Sequence, residues 1–465
     1  MGLSQQRSRS THHHRPAAPV HLQDPDLEMP AHQLTENGVG GDMAYELISS
    51  ELLLDGQARL NLATFVTTWM PSLAARLMAD TADKNMIDKD EYPQTAEIEA
   101  RCVNIIADLW NSPASERATG CSTTGSSEAA MLSGLALKWR WRERRRAAGK
   151  STDKPNLVTG SNVQVCWEKF CRYWDVEPRL VPMEGNRYHL NAEEAVKHCD
   201  ENTIGVVAVL GSTFDGSYEP VKEIAAALDT LESDKGCDVP LHVDGASGGF
   251  VAPFIQPELE WDFQLPRVQS INASGHKYGL VYPGVGWAIW RNADALPKDL
   301  IFDVNYLGGH MPTFALNFSR PGSEVLAQYF MFTSLGRTGY TRVIQTAQDV
   351  AMHLSNGISE MGPYELISDG SELPVFAFTL KPEVKNYTVY DVSDRLRQHG
   401  WLVPAYAFPE NRQDLSVLRI VVRAGMNLDM ADLLLEHLEK ITGFLESLDG
   451  PFPAPDPKVR QAFAH

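Results

Sequence analysis

One lysine stands between small residues directly after an apolar segment. Lys277 lies in the run SGHKYG (residues 274–279), which follows the predicted strand 268–271. Open α/β sheets bind ligands at the carboxyl ends of their strands. A neutral amine there could form an imine with an aldehyde cofactor, whereas the alternative is a solvent-facing loop lysine.

An aspartate ends another apolar segment, 33 residues before this lysine. Asp244 lies in the run LHVDGASGG (residues 241–249), and the residues after it are small enough to admit a flat ring. Pyridoxal phosphate needs a carboxylate at its pyridine nitrogen, because a protonated ring is the better electron sink. Alone, Asp244 could merely cap a turn; followed by one further strand and Lys277, it favours a pyridoxal phosphate site.

A hydroxyl-rich run precedes an apolar helical segment. The run GCSTTGSSE (residues 120–128) leads into the predicted helix 129–139. Backbone N–H groups at a helix start, with hydroxyls and little side-chain bulk, form a site suited to a phosphate. An ordinary serine N-cap is the alternative, but together with the other two segments in this order the run favours phosphate binding.

These residues need a sheet to position them, and the middle of the chain predicts one. Short β-rich runs alternate with helical runs, which favours a mostly parallel sheet covered by helices. The predicted strands are 157–159, 179–182, 204–210, 241–243, 268–271 and the hairpin-like 286–290, and the predicted helices are 164–173, 192–199 and 220–233.

The remaining segments predict the domain organisation. After a helical stretch near 339–354, strands at 374–380 and 416–422 and helices at 389–399 and 430–448 indicate a small α+β domain. We expect an N-terminal tail and helical segment (1–60), a large cofactor-binding domain (61–347), the small domain (348–450) and a mobile tail (451–465).

Composition excludes several classes of function. The chain of 465 residues has 60 acidic and 41 basic residues and a net charge of −19, which disfavours nucleic acid or an anionic membrane as a partner. No apolar run reaches the roughly 18–20 residues of a membrane span, and no apolar segment follows the basic N-terminus. Six cysteines without CxxC spacing predict free thiols in the cytoplasm. No metal site is predicted; His12, His13 and His14 suit only adventitious binding.

Further runs carry a family resemblance over roughly residues 40–450. With the three segments above, the chain resembles the group II pyridoxal-phosphate decarboxylases of fold type I and, among them, the bacterial glutamate decarboxylases. The matching runs are NLATF (61–65), KNMIDKDEYP (84–93), RCVN (101–104), QVCWEKF (164–170), RYWD (172–175), DENTIG (200–205), YLGG (306–309) and NFSRP (317–321).

The resemblance implies a fold and cofactor ligands. The large domain would carry a mostly parallel seven-stranded sheet of the fold type I transferase kind. Lys277 would be the Schiff-base lysine and Asp244 the pyridinium partner, and His276 would be a third catalytic residue. The implied cofactor-binding residues are Ser126, Ser127, Gln164, Thr213, Asp244, Ser274, His276, Lys277 and Ser319, with Ser319 reaching the phosphate from a neighbouring subunit.

The resemblance also implies a substrate and an assembly. The reaction would be decarboxylation of L-glutamate to 4-aminobutanoate (GABA) and CO2, with uptake of one proton. Thr64 and Phe65, with Asn85 and Asp88 of a neighbouring subunit, would receive the distal carboxylate, and Arg423 the α-carboxylate. We therefore expect a homo-oligomer, either a dimer with shared sites or a hexamer of such dimers.

Alternatives to this function remain open from sequence. An aspartate or aromatic amino-acid decarboxylase would share the cofactor residues, and a catalytically inactive homologue would share the fold. Calmodulin binding is not expected, because residues 449–465 contain only Lys458 and Arg460 as basic residues and no tryptophan.

Three departures from the family pattern affect the site. Gly245 replaces a usual alanine, the loop 211–216 differs in detail, and His310 stands where an uncharged polar residue is expected. Family members that support acid resistance carry a histidine near the end of a mobile tail, which covers the site at neutral pH. Here His465 is the candidate for this pH gating.

Overall fold

The computed structural model describes residues 32–34, 36–305 and 311–448. The chain divides into two compact units, Met1–Ala58 and Arg59–His465. In the first unit, helix α1 (Gly41–Glu51) continues into a 3-10 turn, Leu52–Leu54. The second unit contains two larger sheets and all the candidate site residues that the structure describes.

The larger sheet has seven strands in the order β1-β7-β6-β5-β4-β2-β3. Its strands are β1 (Thr119–Thr123), β2 (Asn156–Gly160), β3 (Glu177–Val181), β4 (Thr203–Val209), β5 (Leu241–Asp244), β6 (Val268–Ala273) and β7 (Gly286–Trp290). Strands β2 to β6 pair in parallel, and β7 runs antiparallel to both of its neighbours. The predicted mostly parallel sheet is confirmed.

Helices alternate with these strands, as the apolar periodicity predicts. They are α2 (Ser72–Asp80), α3 (Pro93–Leu109), α4 (Ser126–Ala147), α5 (Val165–Tyr173), α6 (Ala192–Lys197), α7 (Val221–Lys235), α8 (Ala252–Ile255) and α9 (Ser323–Glu360). The three central strands β4, β5 and β6 are almost wholly buried, which explains the near-continuous apolar sequence of β4. Three short 3-10 turns follow β5 and β7, at Gly248–Phe250, Ala293–Ala295 and Lys298–Leu300.

Two sequence-based expectations about strands need correction. Strand β1 was not predicted, because its residues (TGCST) include a glycine and no valine, isoleucine or aromatic residue. The segment at Gly286–Trp290 is not a hairpin arm closed by a tight turn. It pairs antiparallel with β6, but the whole segment that carries Lys277 connects the two strands.

The smaller sheet has the order β10-β11-β13-β12. A two-stranded pair, β8 (Phe302–Val304) and β9 (Met311–Thr313), precedes it in the chain. The small sheet comprises β10 (Tyr364–Leu366), β11 (Val375–Leu380), β12 (Ala405–Ala407) and β13 (Ser416–Val421), with helices α10 (Val389–Gln398) and α11 (Leu428–Glu446). Helix α9 leads into this sheet and has one non-helical residue, Gly336, at φ 57°. This α+β arrangement confirms the predicted fold class of the C-terminal part.

Candidate active site

The three chemistry-bearing segments meet at one cavity of about 300 Å³, at the carboxyl ends of the central strands. This volume lies at the lower end of the range of small-molecule sites. Eight of the nine predicted cofactor-binding residues line the cavity; Ser319 does not. The lining residues are Thr124, Gly125, Ser126, Ser127, Glu128, Gln164, Cys166, Val209, Gly211, Thr213, Asp244, Ala246, Ser274, His276 and Lys277.

The amine of Lys277 is buried in this cavity. Its Nζ donates to Ser247 Oγ at 3.1 Å. Burial lowers the pKa of Lys277, and the nearby carboxylate of Asp244 opposes this shift. The backbone is fixed by Thr67, whose hydroxyl donates to the Lys277 carbonyl at 2.6 Å and whose N–H donates to the His276 carbonyl at 2.7 Å. A lowered pKa increases the share of the neutral, nucleophilic amine at a given pH.

The carboxylate of Asp244 is held by three donors. Trp167 Nε1 donates at 2.8 Å, Asn272 Nδ2 at 2.9 Å and the backbone N–H of Ala246 at 3.1 Å. Asp244 is only 4% exposed, so these charge-assisted bonds compensate for its burial. The arrangement fits a fixed anion for a protonated ring nitrogen.

Sequence reasoning missed Asn272 and the role of Trp167 as partners of Asp244. Asn272 lies beside Asp244 in the parallel register of β5 and β6, and it also donates to Ser126 Oγ at 2.5 Å. His242 Nε2 donates to Asn272 Oδ1 at 2.7 Å, and burial lowers the pKa of His242 to about 4. An asparagine directly after the predicted strand 268–271 was the signal available in the sequence.

Helix α4 begins at the cavity without a side-chain cap on its first N–H groups. Its cap residue, Gly125, packs so closely that a Cβ there would lie 3.0 Å from Cε1 of His276. Among the residues that the structure describes, none forms a hydrogen bond with the buried hydroxyl of Ser274. A phosphate would satisfy both the helix N-terminus and this hydroxyl, so the site fits pyridoxal phosphate.

Two further residues that line the cavity are Gln164 and Cys166, at the start of helix α5. Gln164 caps helix α5, with its Oε1 accepting from the N–H of Cys166 at 2.6 Å. Cys166 is a buried free thiol, as is Cys171, in agreement with the sequence interpretation. Burial raises the pKa of the Cys166 thiol, so this side chain stays protonated and is a poor nucleophile.

The predicted substrate residues fall into two groups. The Phe65 ring centroid lies 5.0 Å from Lys277 Nζ, and the neighbouring Thr64 accepts from the N–H of Val66 at 3.1 Å. In contrast, Asn85 donates to Asp88 Oδ2 at 3.0 Å and to Ser319 Oγ at 3.3 Å. This second group, the Asn85 cluster (Asn85, Asp88 and Ser319), does not line the Lys277 cavity of its own chain.

Two arginines, one in strand β13 and one just after it, differ in their surroundings. Arg423, predicted to bind the α-carboxylate, donates to the carbonyls of Asn61 and Val66 and to the hydroxyl of Thr68. Its role toward substrate stays a prediction. Arg419, which sequence reasoning did not assign, has its guanidinium 4.8 Å from the Phe65 ring centroid. The pattern RIVVR was the available signal, because alternate residues of a strand share a face.

Several predicted features lie outside the described residues. They are His310 and its neighbours 306–309, the candidate gating residue His465, and the N-terminal histidines 12–14. Within the described part of the chain, no helix is long and apolar enough to cross a membrane.

Comparison with known proteins agrees with this site. Residues 41–381 match the model of the pyridoxal-dependent decarboxylase conserved domain. The chain is 56% identical over 423 residues to a glutamate decarboxylase of Aliivibrio fischeri, covering 90% of this chain and 91% of that one. It is 49% identical over 422 residues to a glutamate decarboxylase of Petunia hybrida, covering 90% and 84%.

Solved structures agree with the fold. A Lactobacillus brevis glutamate decarboxylase superposes with a TM-score of 0.88 at 45% identity, covering 93% of this chain and 98% of that one. A Burkholderia pseudomallei sphingosine-1-phosphate lyase, at 20% identity and a TM-score of 0.77 over 96% and 98% of the two chains, shares the fold alone. The chain belongs to the family of pyridoxal-dependent decarboxylases.

Proposed function

We propose that this protein is a glutamate decarboxylase that converts L-glutamate and a proton into 4-aminobutanoate and CO2 with pyridoxal phosphate. The observation that carries the proposal is the convergence of Lys277, Asp244 and the uncapped start of α4 on one cavity. The relatives named glutamate decarboxylase, matched over most of both chains, support the choice of glutamate.

The proposed cofactor-binding residues would contact three parts of the cofactor. Ser126, Ser127, Ser274 and His276 would bind the phosphate, Asp244 the ring nitrogen, and Lys277 the aldehyde carbon. When bound, pyridoxal phosphate supplies a sink for the electron pair left by the broken bond between Cα and the carboxylate.

The chain's own residues would orient the substrate and move the proton. The bond between Cα and the α-carboxylate must stand perpendicular to the cofactor ring in order to break. The position of the α-carboxylate therefore determines which bond breaks, and we propose that Arg423 fixes this position. The Cα atom then gains the proton that the reaction consumes. The buried Nζ of Lys277 is the proposed donor, because burial places its pKa below the ordinary lysine value.

We further propose a homo-oligomer with shared sites. The Asn85 cluster is assembled within one chain but does not line that chain's own cavity. Its amide and hydroxyl donors suit the distal carboxylate of glutamate and the cofactor phosphate at a neighbouring subunit's cavity. Whether two or six subunits assemble is a separate question that a mass measurement in solution answers.

Two further proposals concern the domain boundaries and the location of the protein in the cell. The large domain would span 61–347 and the small domain 348–450, which agrees with the division of strands between the two sheets. A cytoplasmic location is supported by free cysteines at all six positions in the described residues, since oxidising compartments favour disulfides.

The substrate experiment compares CO2 release from L-glutamate, L-aspartate and L-phenylalanine by the purified holoenzyme. We expect release from glutamate alone, and none from glutamate with Lys277→Ala. Release from phenylalanine in preference to glutamate would favour the aromatic alternative. Cofactor binding without CO2 release from any of the three would favour an inactive homologue.

A further inference from the structure

Three consecutive carbonyl groups of the loop after β4 accept hydrogen bonds from the side chains of residues in or beside the small sheet. These carbonyls belong to Thr213, Phe214 and Asp215. Their donors are, in the same order, Arg419, Tyr406 and Ser368. The loop that brings Thr213 to the cavity is therefore fixed from the small sheet.

Arg419 connects this loop to a second segment of the chain, at Ala63. Its Nη1 donates to the Thr213 carbonyl, and its Nη2 donates to the Ala63 carbonyl at 2.5 Å. The guanidinium carbon also lies 4.8 Å from the Phe65 ring centroid and 5.6 Å from that of Tyr406. Arg419 is 8% exposed, so both hydrogen bonds form in a largely dry environment, where they are strong.

The two segments that Arg419 joins both reach Lys277. Thr213 lines the Lys277 cavity, and the Phe65 ring lies 5.0 Å from Lys277 Nζ. Burial of Lys277 together with the nearby Arg419 charge lowers the pKa of the amine, which agrees with their proximity. Ala63 and Thr213 are 150 positions apart in the sequence. A side chain that binds both is therefore one means of fixing the distance between them in space.

We propose that Arg419 is a positioning residue, which holds the loop at Thr213 and the segment 63–65 in register around Lys277 from β13 of the small sheet. This inference rests on the proposed decarboxylase function for its kinetic consequence but not for its structural one. The guanidinium of Arg419 donates from two nitrogens held apart in a rigid planar fork, whereas a lysine ammonium keeps the charge but presents its donors from one compact point. Misplacing a reacting group by about 1 Å costs on the order of 100-fold in rate.

The experiment compares Arg419→Lys with a matched control, Arg291→Lys. Arg291 also donates to backbone carbonyls, those of Phe263, Leu265 and Val268. Unlike the loop that Arg419 binds, Arg291 has no part in the lining of the Lys277 cavity. Both holoenzymes are measured for kcat and KM with glutamate and for backbone hydrogen exchange. Arg419→Gln is a second variant, which tests whether charge or fork geometry matters.

We expect kcat of Arg419→Lys to fall by about 10- to 100-fold, with KM changing less, while Arg291→Lys stays within about 2-fold. Amide exchange should accelerate in residues 61–68 and 211–217 of Arg419→Lys and not of Arg291→Lys. Equal kcat in the two variants, or exchange in those two segments that matches the unmodified protein, would overturn the proposal. If the unmodified protein releases no CO2 from glutamate, the proposed function fails and the exchange result still decides the role of Arg419.

Discussion

The indole Nε1 of Trp167 donates a hydrogen bond to Oδ2 of Asp244 at 2.8 Å, from helix α5 to the end of the central strand β5. The other carboxylate oxygen of Asp244 accepts from Asn272 and from the N–H of Ala246. The anion that we propose for the cofactor nitrogen is thus oriented by the protein itself. Such preorganisation lowers the cost of binding, because the site does not rearrange.

The Trp167 hydrogen bond gives the first prediction. Trp167→Phe keeps an aromatic ring but leaves Oδ2 of buried Asp244 without that donor, at a cost of about 1–3 kcal/mol. We expect the Kd for pyridoxal phosphate to rise about 10-fold or more, measured by absorbance titration of the apoprotein. Trp174→Phe is the control, because Trp174 packs on Phe170 and does not line the cavity. Equal affinities of the two variants would remove this role from Trp167.

The second prediction concerns the stability of the apoprotein in acid. Burial, with the nearby charge of Lys277, lowers the pKa of His276 to about 4, against an unfolded value of about 6.5. Between these values the unfolded chain binds more protons, so the free energy of unfolding falls as the pH falls. His276 should contribute a loss of about 1–2 kcal/mol between pH 7 and pH 5.

Urea denaturation of the apoprotein at pH 7 and pH 5 measures this loss, and His276→Gln provides the comparison. The variant lacks the titrating ring, so its stability should decrease less over the same interval. The same pH dependence in both proteins would show that His276 is protonated as readily in the folded chain as in the unfolded one. Apoprotein is used because a bound phosphate would favour the charged ring.

The third prediction tests the shared site. Two variants are co-expressed with different tags: Lys277→Ala, and a chain with both Asn85→Ala and Asp88→Ala. If the Asn85 cluster serves the neighbouring subunit, each mixed dimer contains one intact site, and random mixing gives about a quarter of the unmodified activity. If the cluster serves its own chain, every site is damaged and the mixture stays as inactive as the separate variants.

The fourth prediction concerns His465, whose gating role is inferred from the family resemblance. Neutral imidazole is populated as the pH rises through about 6.5, so the tail would inhibit at neutral pH and release in acid. Deleting residues 452–465 should extend activity to higher pH, and His465→Ala should reproduce the effect. Superimposable pH profiles of the deleted and full-length proteins would exclude gating.

The sequence predicted the parallel sheet and the cofactor pocket because the signals are local. Asp244 ends a strand, Lys277 lies shortly after the end of the next strand, and Ser126 begins a helix, so a short stretch of sequence indicates each position. Arg419 and Asn272 were missed because their importance depends on contacts between distant segments. Strand β1 was missed because pairing with β7, and not the propensity of its residues, makes it a strand.

The placement of the Asn85 cluster shows another limit of local reasoning. Asn85 and Asp88 were predicted to serve a neighbouring subunit's substrate and Ser319 its cofactor phosphate, and the hydrogen bonds from Asn85 to Asp88 and Ser319 bring the three together. Which cavity they serve depends on assembly, and no local pattern in the sequence encodes that geometry. The hybrid experiment therefore tests what neither the sequence nor a single chain determines.

The central claim is that Lys277 carries the cofactor, and chemical trapping tests it most directly. The holoenzyme is reduced with borohydride, digested with a protease, and its peptides are searched for a pyridoxyl group by mass spectrometry. The account predicts the label on Lys277, in the peptide that contains residues 274–279, and the loss of the yellow absorbance in Lys277→Ala. A pyridoxyl group on a different lysine, or a Lys277→Ala protein that keeps the yellow absorbance, would contradict it.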